Sequence, residues 1–431
     1  LGSEAYVVGK SEGRINPESL TRLGIPLDSD VVLNRKDNGF TPWEHFGGLY
    51  PDPLYREGIG YNDYLKDKGY TAHNPWESVS NTSTSATGEK SSGWLLRNAD
   101  KASDIKAEHS ETVFLTDRAI QFIESRDGSK PWCLHLSYFK PHWPLIAPTP
   151  YNTAYSADDV LPANKHESEL QDDHPAYKLF RDFEYSKTYS DDEKRAHIIP
   201  TYMGLIEELD DQIGRLLTYL DENNLTENTL IALTSDHGDY LGDHWLGEKD
   251  LFHEPSIRVP LIISGPDVPK GKRNSQFVEA IDLVPTFVEA MGGAFHTNRM
   301  EGLSLWPLLR EEQDIKWRDT VVAEIDYGDR GGYGALGQDP YDARGYMLRN
   351  TRWKYVYWEG MRPQLYDLQE DPNEFYDIAQ DPKHAQLLID FERQLFKWVR
   401  QRRHRTEPTL EELKERSPEL DKKFGILIGH W

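Results

Sequence analysis

Residues 230–238 have the sequence Leu-Ile-Ala-Leu-Thr-Ser-Asp-His-Gly, an apolar run that ends in a polar turn. The run at 230–234 predicts a buried parallel strand. Asp236 and His237 follow at its carboxyl end, where ligands of open α/β sheets collect, and Gly238 lets the backbone bend so that both side chains reach one point. A carboxylate beside an imidazole suits Mn²⁺, Zn²⁺ or Fe. The alternative is a loop in which Asp236 caps a turn and His237 is simply exposed.

The flanking segments predict an α/β unit around this strand. Apolar residues recur at threes and fours from Met203 to Leu220, which indicates a long helix, and residues 259–263 predict the next buried strand. Residues 110–125 predict a helix and 132–138 a strand, which would bring His142 to the same sheet edge as Asp236. The acidic residues of the long helix suggest a solvated face: Glu207, Glu208, Asp210 and Asp211.

Five segments along the chain form a set. They are Gly-Lys at 9–10, Phe-Lys-Pro-His-Trp-Pro at 139–144, the stretch 234–249, Ile-Asp-Leu-Val-Pro-Thr at 281–286, and Gln-Leu-Tyr-Asp-Leu at 364–368 with Asp-Pro-Asn-Glu at 371–374. In this order they resemble the sulfatase branch of the alkaline phosphatase superfamily, closest to its phosphonate monoester hydrolases and arylsulfatases. The resemblance implies an alkaline-phosphatase-like α/β core with a mostly parallel sheet flanked by helices. It also implies metal-dependent hydrolysis of sulfate, phosphonate or phosphate esters through a covalent intermediate.

The resemblance assigns roles to five residues of this chain. Asp236 and His237 would bind the metal, and Lys249, His142 and Lys10 would bind the oxyanion or the leaving group. An Asp-His pair in place of the Asp-Asn common in calcium sulfatases favours Mn²⁺, with Ca²⁺, Zn²⁺ or Mg²⁺ as alternatives.

Each of these roles has a structural alternative. Lys249 could pair with Glu248 or Asp250, and His142 could be a histidine held in a Pro-rich turn. His244 and His253 would support the site or serve packing. Lys140 and Arg258 add positive charge near the motifs, but Glu12 stands where the family often has a histidine.

The sequence departs from the family at the nucleophile. Family members carry Cys-x-Pro-x-Arg or Ser-x-Pro-x-Arg, whose Cys or Ser becomes formylglycine, and residues 1–431 contain neither pattern. Cys133, the single cysteine, lacks the required neighbours and is expected to be a small buried hydrophobe. We therefore expect the formylglycine nucleophile upstream of Leu1, in a missing segment of about a hundred residues. The alternatives are a two-metal phosphatase or phosphodiesterase, or a non-catalytic sulfatase-like domain if the chain truly starts at Leu1.

The composition limits the classes of molecule that this chain is expected to bind. Lys and Arg total 49 against 73 Asp and Glu, which gives a formal charge of −24. This acidic balance disfavours binding of nucleic acid. A small anionic ester substrate would need positive charge close to its binding site. One cysteine forms no intrachain disulfide. Because no apolar run approaches the roughly 20 residues of a membrane span, we expect no membrane association. The expected location is the cytoplasm, with a signal peptide upstream of Leu1 as the alternative.

Three regions are expected. Residues 1–311 would form the sulfatase-like α/β core without its N-terminal part, and residues 312–400 a smaller α+β domain with an antiparallel sheet and a helix. The charged tail 401–431 ends in an apolar stretch that would dock on a second subunit or pack on its own domain. Residues 36–108 predict a long irregular segment, either a wall of the active site or a disordered insertion.

Overall fold

The computed structural model describes residues 5–402 apart from 12–16, 28, 30–31, 33–38, 56, 172, 296–299 and 329–332. The strands are β1 (Ala5–Gly9), β2 (Thr41–His45), β3 (Thr82–Thr84), β4 (Lys90–Ser92), β5 (Cys133–Ser137), β6 (Ile231–Thr234), β7 (Leu261–Ser264), β8 (Val321–Asp326), β9 (Arg344–Arg349), β10 (Trp353–Trp358) and β11 (Gln364–Asp367). The α-helices are α1 (Pro17–Arg22), α2 (Gly60–Asp67), α3 (Glu111–Glu124), α4 (Ser168–Gln171), α5 (Pro175–Arg181), α6 (Glu184–Ser190), α7 (Asp192–Glu222), α8 (Glu254–Ile257), α9 (Leu283–Ala290), α10 (Trp306–Leu309) and α11 (Ala385–Gln401).

The described residues divide into two compact units. One, the N-terminal unit, runs up to Ala163 and includes Thr188–Glu227; the other, the C-terminal unit, contains Asn164–Lys187 and the chain from Asn228 onward. The boundaries expected at residues 311 and 400 stay predictions. Residue 403 and those after it, including most of the tail expected to mediate homo-oligomer formation, lie outside the described residues.

A parallel sheet organises the N-terminal unit. Its strands lie in the order β2-β1-β5, with Gly9 opposite Ser137. Ser110 caps the N-terminus of helix α3, since its hydroxyl accepts a hydrogen bond from the Val113 N–H at 3.2 Å. The Phe122 ring of this helix packs against the Tyr6 ring of β1, with centroids 4.8 Å apart. The predicted helix at 110–125 and strand at 132–138 are confirmed.

The described part of the segment 36–108 is folded. It contributes β2, α2 and the β3-β4 hairpin, and Trp76 and Asn81 are fully buried. The Trp76 indole N–H donates to Glu111 Oε2 at 3.0 Å, which joins this segment to α3. The disordered insertion considered from composition is therefore wrong for the described residues.

The long helix α7 is confirmed, but its buried face differs from the one predicted. Gly204 allows a close approach, since a Cβ there would lie 2.1 Å from the Tyr151 carbonyl oxygen. The helix is thereby turned so that Glu208 is buried, with 1 % of its surface exposed, while Ile206 is 44 % exposed. The expectation that Glu208 belongs to a solvated acidic face is wrong, because packing at Gly204 outweighs the apolar pattern.

The C-terminal unit contains the predicted antiparallel sheet, in the order β11-β10-β9-β8. Helix α11 covers it, and Phe391 stacks on Tyr355 with ring centroids 5.8 Å apart. With the parallel sheet and its helices, this gives the mixed α/β architecture that the sequence predicts.

Strand β6 differs from its prediction. It pairs with β7 in antiparallel orientation, and its residues are half-buried or exposed rather than buried. The chain folds back between the two strands, where the Gly238 N–H donates to the Ser256 carbonyl at 2.7 Å, so β7 returns in the opposite direction. One face of the pair is solvated, and Ile262 is 61 % exposed. The prediction of buried parallel strands at 230–234 and 259–263 is therefore wrong.

Glu208 should make folding stability depend on pH. Burial, with a smaller effect of Glu111, raises the pKa of this carboxyl to about 7 against the lowering effects of Ser110 and Lys140. One of its oxygens finds no hydrogen-bond donor among the described residues. The folded chain then binds a proton more tightly than the unfolded chain, so this group's contribution is present at low pH and is lost as pH rises from about 4.5 through 7.

We predict that Glu208→Gln removes this loss. The free energy of unfolding, measured with urea at pH 5 and pH 8, should fall between the two pH values by roughly 2 kcal/mol less than in the wild type. Glu222→Gln, an exposed change in the last turn of the same helix, should follow the wild-type profile. Equal pH dependence of Glu208→Gln and the wild type would contradict the prediction.

Candidate active site

Asp236 and His237 come together in the turn after β6. His237 Nε2 lies 3.5 Å from Asp236 Oδ2, and the His237 backbone N–H donates to Asp236 Oδ1 at 3.1 Å. The Asp236 side chain is 68 % exposed and that of His237 is 30 % exposed. The chain bends here as expected, so neighbouring residues present a carboxylate and an imidazole to one point.

The tautomer of His237 is set by a backbone carbonyl. Its Nδ1 lies 2.7 Å from the Gly238 oxygen, which can only accept, so Nδ1 carries the proton and donates it. Nε2 then carries the lone pair and faces Asp236. Histidines that bind metals commonly make this second hydrogen bond, which orients the ring and raises the basicity of the ligand atom. The pair therefore fits a divalent metal ion.

Gly238 is required for a reason other than the predicted one. Its φ is not in the left-handed region; instead a Cβ would lie 1.8 Å from the Pro255 carbonyl oxygen. Only glycine allows this turn to pack directly on the backbone of α8. Ser256 continues the contact, since its hydroxyl donates to the Lys249 carbonyl. The Asp236-His237 pair and Lys249 thus lie in one loop, which these contacts hold together.

Lys249 makes the ion pair considered as its structural alternative. Its Nζ lies 3.0 Å from Glu248 Oε2, but the lysine side chain is only 21 % exposed. Nearby Asp239 was not singled out in the sequence. Burial, together with the Glu248 carboxylate, raises the pKa of Asp239 to about 7, and Lys249 opposes the shift. In sequence, Asp239 looks like any other acidic residue of this loop, and only burial distinguishes it.

Lys10 follows β1 in the N-terminal unit. Its N–H donates to the Ser137 carbonyl at 3.2 Å, and its Nζ lies 5.9 Å from the centre of the Phe139 ring. The preceding Gly9 has φ +106°, and a Cβ there would lie 1.9 Å from the Ser137 oxygen. Glycine at position 9 therefore lets β1 and β5 approach and brings Lys10 to the edge where β5 ends.

His142 follows β5 at the same edge. Its ring centre lies 4.8 Å from that of Phe139, and its Nδ1–H donates to the Trp143 carbonyl at 2.9 Å. This leaves Nε2 as the atom able to accept or carry a further proton. Lys10 and His142 both pack beside Phe139, so the parallel sheet brings these two predicted residues together.

Lys140 does not have the role considered for it. It is 7 % exposed, its Nζ donates to the Pro144 carbonyl at 2.7 Å and lies 3.8 Å from Glu111 Oε1. Burial lowers the pKa of Lys140, against the effect of Glu111 and Glu208. A lysine enclosed in this way holds the segment around His142 in place instead of offering charge to a substrate.

Other sequence candidates have less distinctive surroundings. Arg258 is exposed, and Cys133 is half-buried on β5, where burial raises the pKa of its thiol. Glu12 lies outside the described residues. Lys10 and His142 belong to the N-terminal unit, whereas Asp236, His237 and Lys249 belong to the C-terminal unit.

The C-terminal sheet anchors the loop that carries the C-terminal candidates. Lys354 on β10 is 1 % exposed, and its Nζ donates to the Phe252 carbonyl and to Glu254 Oε1, both at 2.9 Å, and lies 2.5 Å from Glu374 Oε1. Burial alone raises the pKa of Glu254, but Lys354 and Arg349 lower it by more, so the net shift is downward. A buried ion pair therefore fixes the end of the loop.

Two sequence models match this chain. The model described as Sulfatase matches residues 50–294, and the one described as N-sulphoglucosamine sulphohydrolase, C-terminal, matches residues 242–401. Since the first match covers more than half of the chain, the chain belongs to the sulfatase family.

Related sequences and structures agree with this assignment. The chain is 36 % identical to a multifunctional alkaline phosphatase superfamily protein of Trinickia caryophylli over 69 % of its own length and 61 % of that protein. It is 30 % identical to an arylsulfatase of Clostridium perfringens over 66 % of its length and 56 % of that protein. The chain thus spans somewhat more than half the length of these relatives.

Phosphonate monoester hydrolases are among the similar solved structures. That of Silicibacter pomeroyi has a TM-score of 0.78 and 26 % identity, over 94 % of this chain and 79 % of that one. That of Agrobacterium radiobacter has a TM-score of 0.76 and 25 % identity, over 93 % and 78 %. In the residues described here, no helix combines the length and apolar character needed to cross a membrane.

We predict that Lys354→Met destabilises the protein strongly, because two carboxylates would lose their buried cation. The free energy of unfolding, measured with urea at pH 7.5, should fall by about 3 kcal/mol or more. Lys383→Met, which removes an exposed ion pair with Asp381, should leave the unfolding transition unchanged. A loss below about 1 kcal/mol for Lys354→Met would contradict the anchoring role.

Proposed function

We propose that this chain carries part of the active site of a hydrolase that cleaves sulfate, phosphonate or phosphate esters through a covalent intermediate. The observation that supports it most is the Asp236-His237 pair, whose Nε2 and carboxylate face each other 3.5 Å apart. Membership of the sulfatase family and the likeness to phosphonate monoester hydrolases point to the same chemistry.

Asp236 and His237 would hold one divalent metal ion. Mixed oxygen and nitrogen donors favour Mn²⁺ over Ca²⁺, with Zn²⁺ and Mg²⁺ as further candidates. When bound, the ion would act as a Lewis acid toward the ester and lower the pKa of the nucleophile. Gly238 contributes through its carbonyl, because the hydrogen bond from His237 Nδ1 orients the ring and leaves Nε2 as the nitrogen that would bind the ion.

Three further residues would act on the ester. The Lys249 ammonium would bind the equatorial oxygens that gain charge in the transition state. Its pairing with Glu248 keeps the ammonium in place until an anion competes for it. His142 would hold a proton at Nε2 for the leaving group, and Lys10 would add positive charge at the same sheet edge.

The nucleophile would be the formylglycine of the family. The family's Cys-x-Pro-x-Arg or Ser-x-Pro-x-Arg segment does not occur among residues 1–431, and Cys133 lacks its flanking Pro and Arg. The residues of this chain would therefore supply metal binding and oxyanion binding, while the covalent step needs that further segment. Tests on this chain alone are accordingly tests of binding.

Asp236→Ala should abolish metal binding at the motif. Isothermal titration of the metal-free chain with Mn²⁺ should show an affinity lower by more than about 100-fold, since loss of a ligand exceeds the 10- to 100-fold cost of losing an outer-shell partner. Asp267→Ala, an exposed carboxylate beyond β7, should bind Mn²⁺ as the wild type does. Unchanged Mn²⁺ affinity in Asp236→Ala would refute the ligand assignment.

Lys249→Ala should weaken binding of inorganic phosphate to the Mn²⁺-loaded chain. A charge-assisted hydrogen bond contributes roughly 1.5–3 kcal/mol, which corresponds to a loss of about 10- to 100-fold in affinity. The matched control is Lys272→Ala, an exposed lysine of the same unit that pairs with Glu311. If both variants bind phosphate equally well, Lys249 has no role in oxyanion binding.

A further inference from the structure

A second group of ligand-type side chains lies in the C-terminal unit. Glu169 on α4, His244 in the turn Asp243–Trp245 and His253 just before α8 place one ligand atom each within 4.8 Å of one another. The residues come from distant parts of the sequence, and the side chains of Glu169 and His244 are 4 % and 1 % exposed. His253 is 2 % exposed. Two imidazoles and a carboxylate are a ligand set typical of Zn²⁺.

The hydrogen bonds of the cluster leave a place for a cation. His244 Nδ1 lies 2.7 Å from Glu169 Oε1, so the two share a proton that a metal ion would displace. His253 uses Nδ1 toward the Tyr240 hydroxyl at 3.1 Å. That hydroxyl can accept from Nδ1–H, which makes Nε2 the ligand atom and gives the ring the outer hydrogen bond usual for metal-binding histidines.

Because the two imidazoles are stacked, one ring must move before both can bind the same ion. The His244 and His253 rings are parallel, with an interplanar angle of 1° and centroids 3.7 Å apart. In-plane lone pairs of parallel rings do not converge on one atom, so binding requires one ring to tilt. His253 lines a cavity, so it is the ring that has room to tilt.

The surrounding charge favours a cation. Arg181 lies 3.6 Å from Glu169 Oε1, but it also pairs closely with Asp173, so these three groups together carry one negative charge.

A cavity gives the cluster access to water. It has a volume of about 150 Å³, and Glu169 and His253 line it together with Gln364 and Tyr366. His174 also lines it, but both of its ring nitrogens are used, toward the Arg362 carbonyl at 2.8 Å and the Ala176 N–H at 3.2 Å. Three protein ligands and a cavity able to hold water match the pattern of open zinc sites.

We propose that Glu169, His244 and His253 bind a divalent transition-metal ion of the Zn²⁺ class, separate from the ion at Asp236 and His237, with water from the cavity completing the coordination. The site does not rest on the proposed ester hydrolysis.

The test uses the Asp236→Ala chain, so that the motif site is removed first. Isothermal titration with Zn²⁺, with metal content measured after dialysis, should show one ion per chain. Adding His253→Gln, which keeps the size and polarity of the side chain, should lower the affinity for this ion by at least about 100-fold. His197→Gln, at an exposed histidine of the N-terminal unit, is the matched control and should leave Zn²⁺ binding unchanged.

A second variant, with a check of folding, distinguishes loss of the metal site from loss of the fold. Glu169→Gln in the same background should also release Zn²⁺, and near-ultraviolet circular dichroism should show that each variant keeps its tertiary structure. Co²⁺ should give a ligand-field absorption band that both variants lose. The proposal is overturned if the Asp236→Ala chain binds no Zn²⁺, or if folded His253→Gln and Glu169→Gln variants bind it as tightly as their parent.

Discussion

The candidate residues of the C-terminal unit depend on the contacts that the buried Lys354 ammonium makes. It joins the antiparallel sheet to the Phe252 carbonyl, Glu254 and Glu374. Charges enclosed in this way are costly unless every partner is present, so the arrangement is defined narrowly. The loop between β6 and β7 is thereby fixed at its far end. A sheet remote in sequence thus determines where the ligand-type side chains of that loop lie.

The near end of the loop is fixed by backbone contacts instead. Gly238 packs against Pro255, and its N–H donates a hydrogen bond to the Ser256 carbonyl. The Ser256 hydroxyl in turn donates to the Lys249 carbonyl. These contacts order the turn that carries Asp236 and His237, while Tyr240, Leu246 and Phe252 of the same loop are buried in the hydrophobic core. The same loop contains non-glycine residues with positive φ, among them His244 and Glu248. Such conformations persist where the surroundings enforce them, and they recur at binding sites.

Local pattern was sufficient to predict many elements of this fold, but not the details that depend on distant residues. Helix α3, strand β5 and the C-terminal antiparallel sheet follow from periodicity and capping residues near them in sequence. The sequence predicts the wrong orientation and burial for strand β6, because the reversal at Gly238 depends on α8. Glu208 was placed in solvent, because only the approach of Tyr151 to Gly204 shows which face of α7 is buried.

The residues of the candidate site likewise fall into those predictable from short motifs and those that depend on distant contacts. Asp236, His237, Lys249 and His142 could be named because they stand in short motifs, and the turn geometry of His237 supports the first two. Lys140 was misjudged because burial beside Glu111, not its motif, determines what its charge can do. The cluster of Glu169, His244 and His253 could not be assembled from sequence, since Glu169 carries no local signal that connects it to the two histidines.

The proposed hydrolase function depends most directly on Asp236 and His237 being metal ligands. Anomalous diffraction at the manganese edge, from crystals grown with Mn²⁺, tests it most directly. We expect an anomalous peak within coordination distance of both His237 Nε2 and an Asp236 carboxylate oxygen. A well-ordered His237 with no anomalous peak at that position, under saturating Mn²⁺, would contradict it.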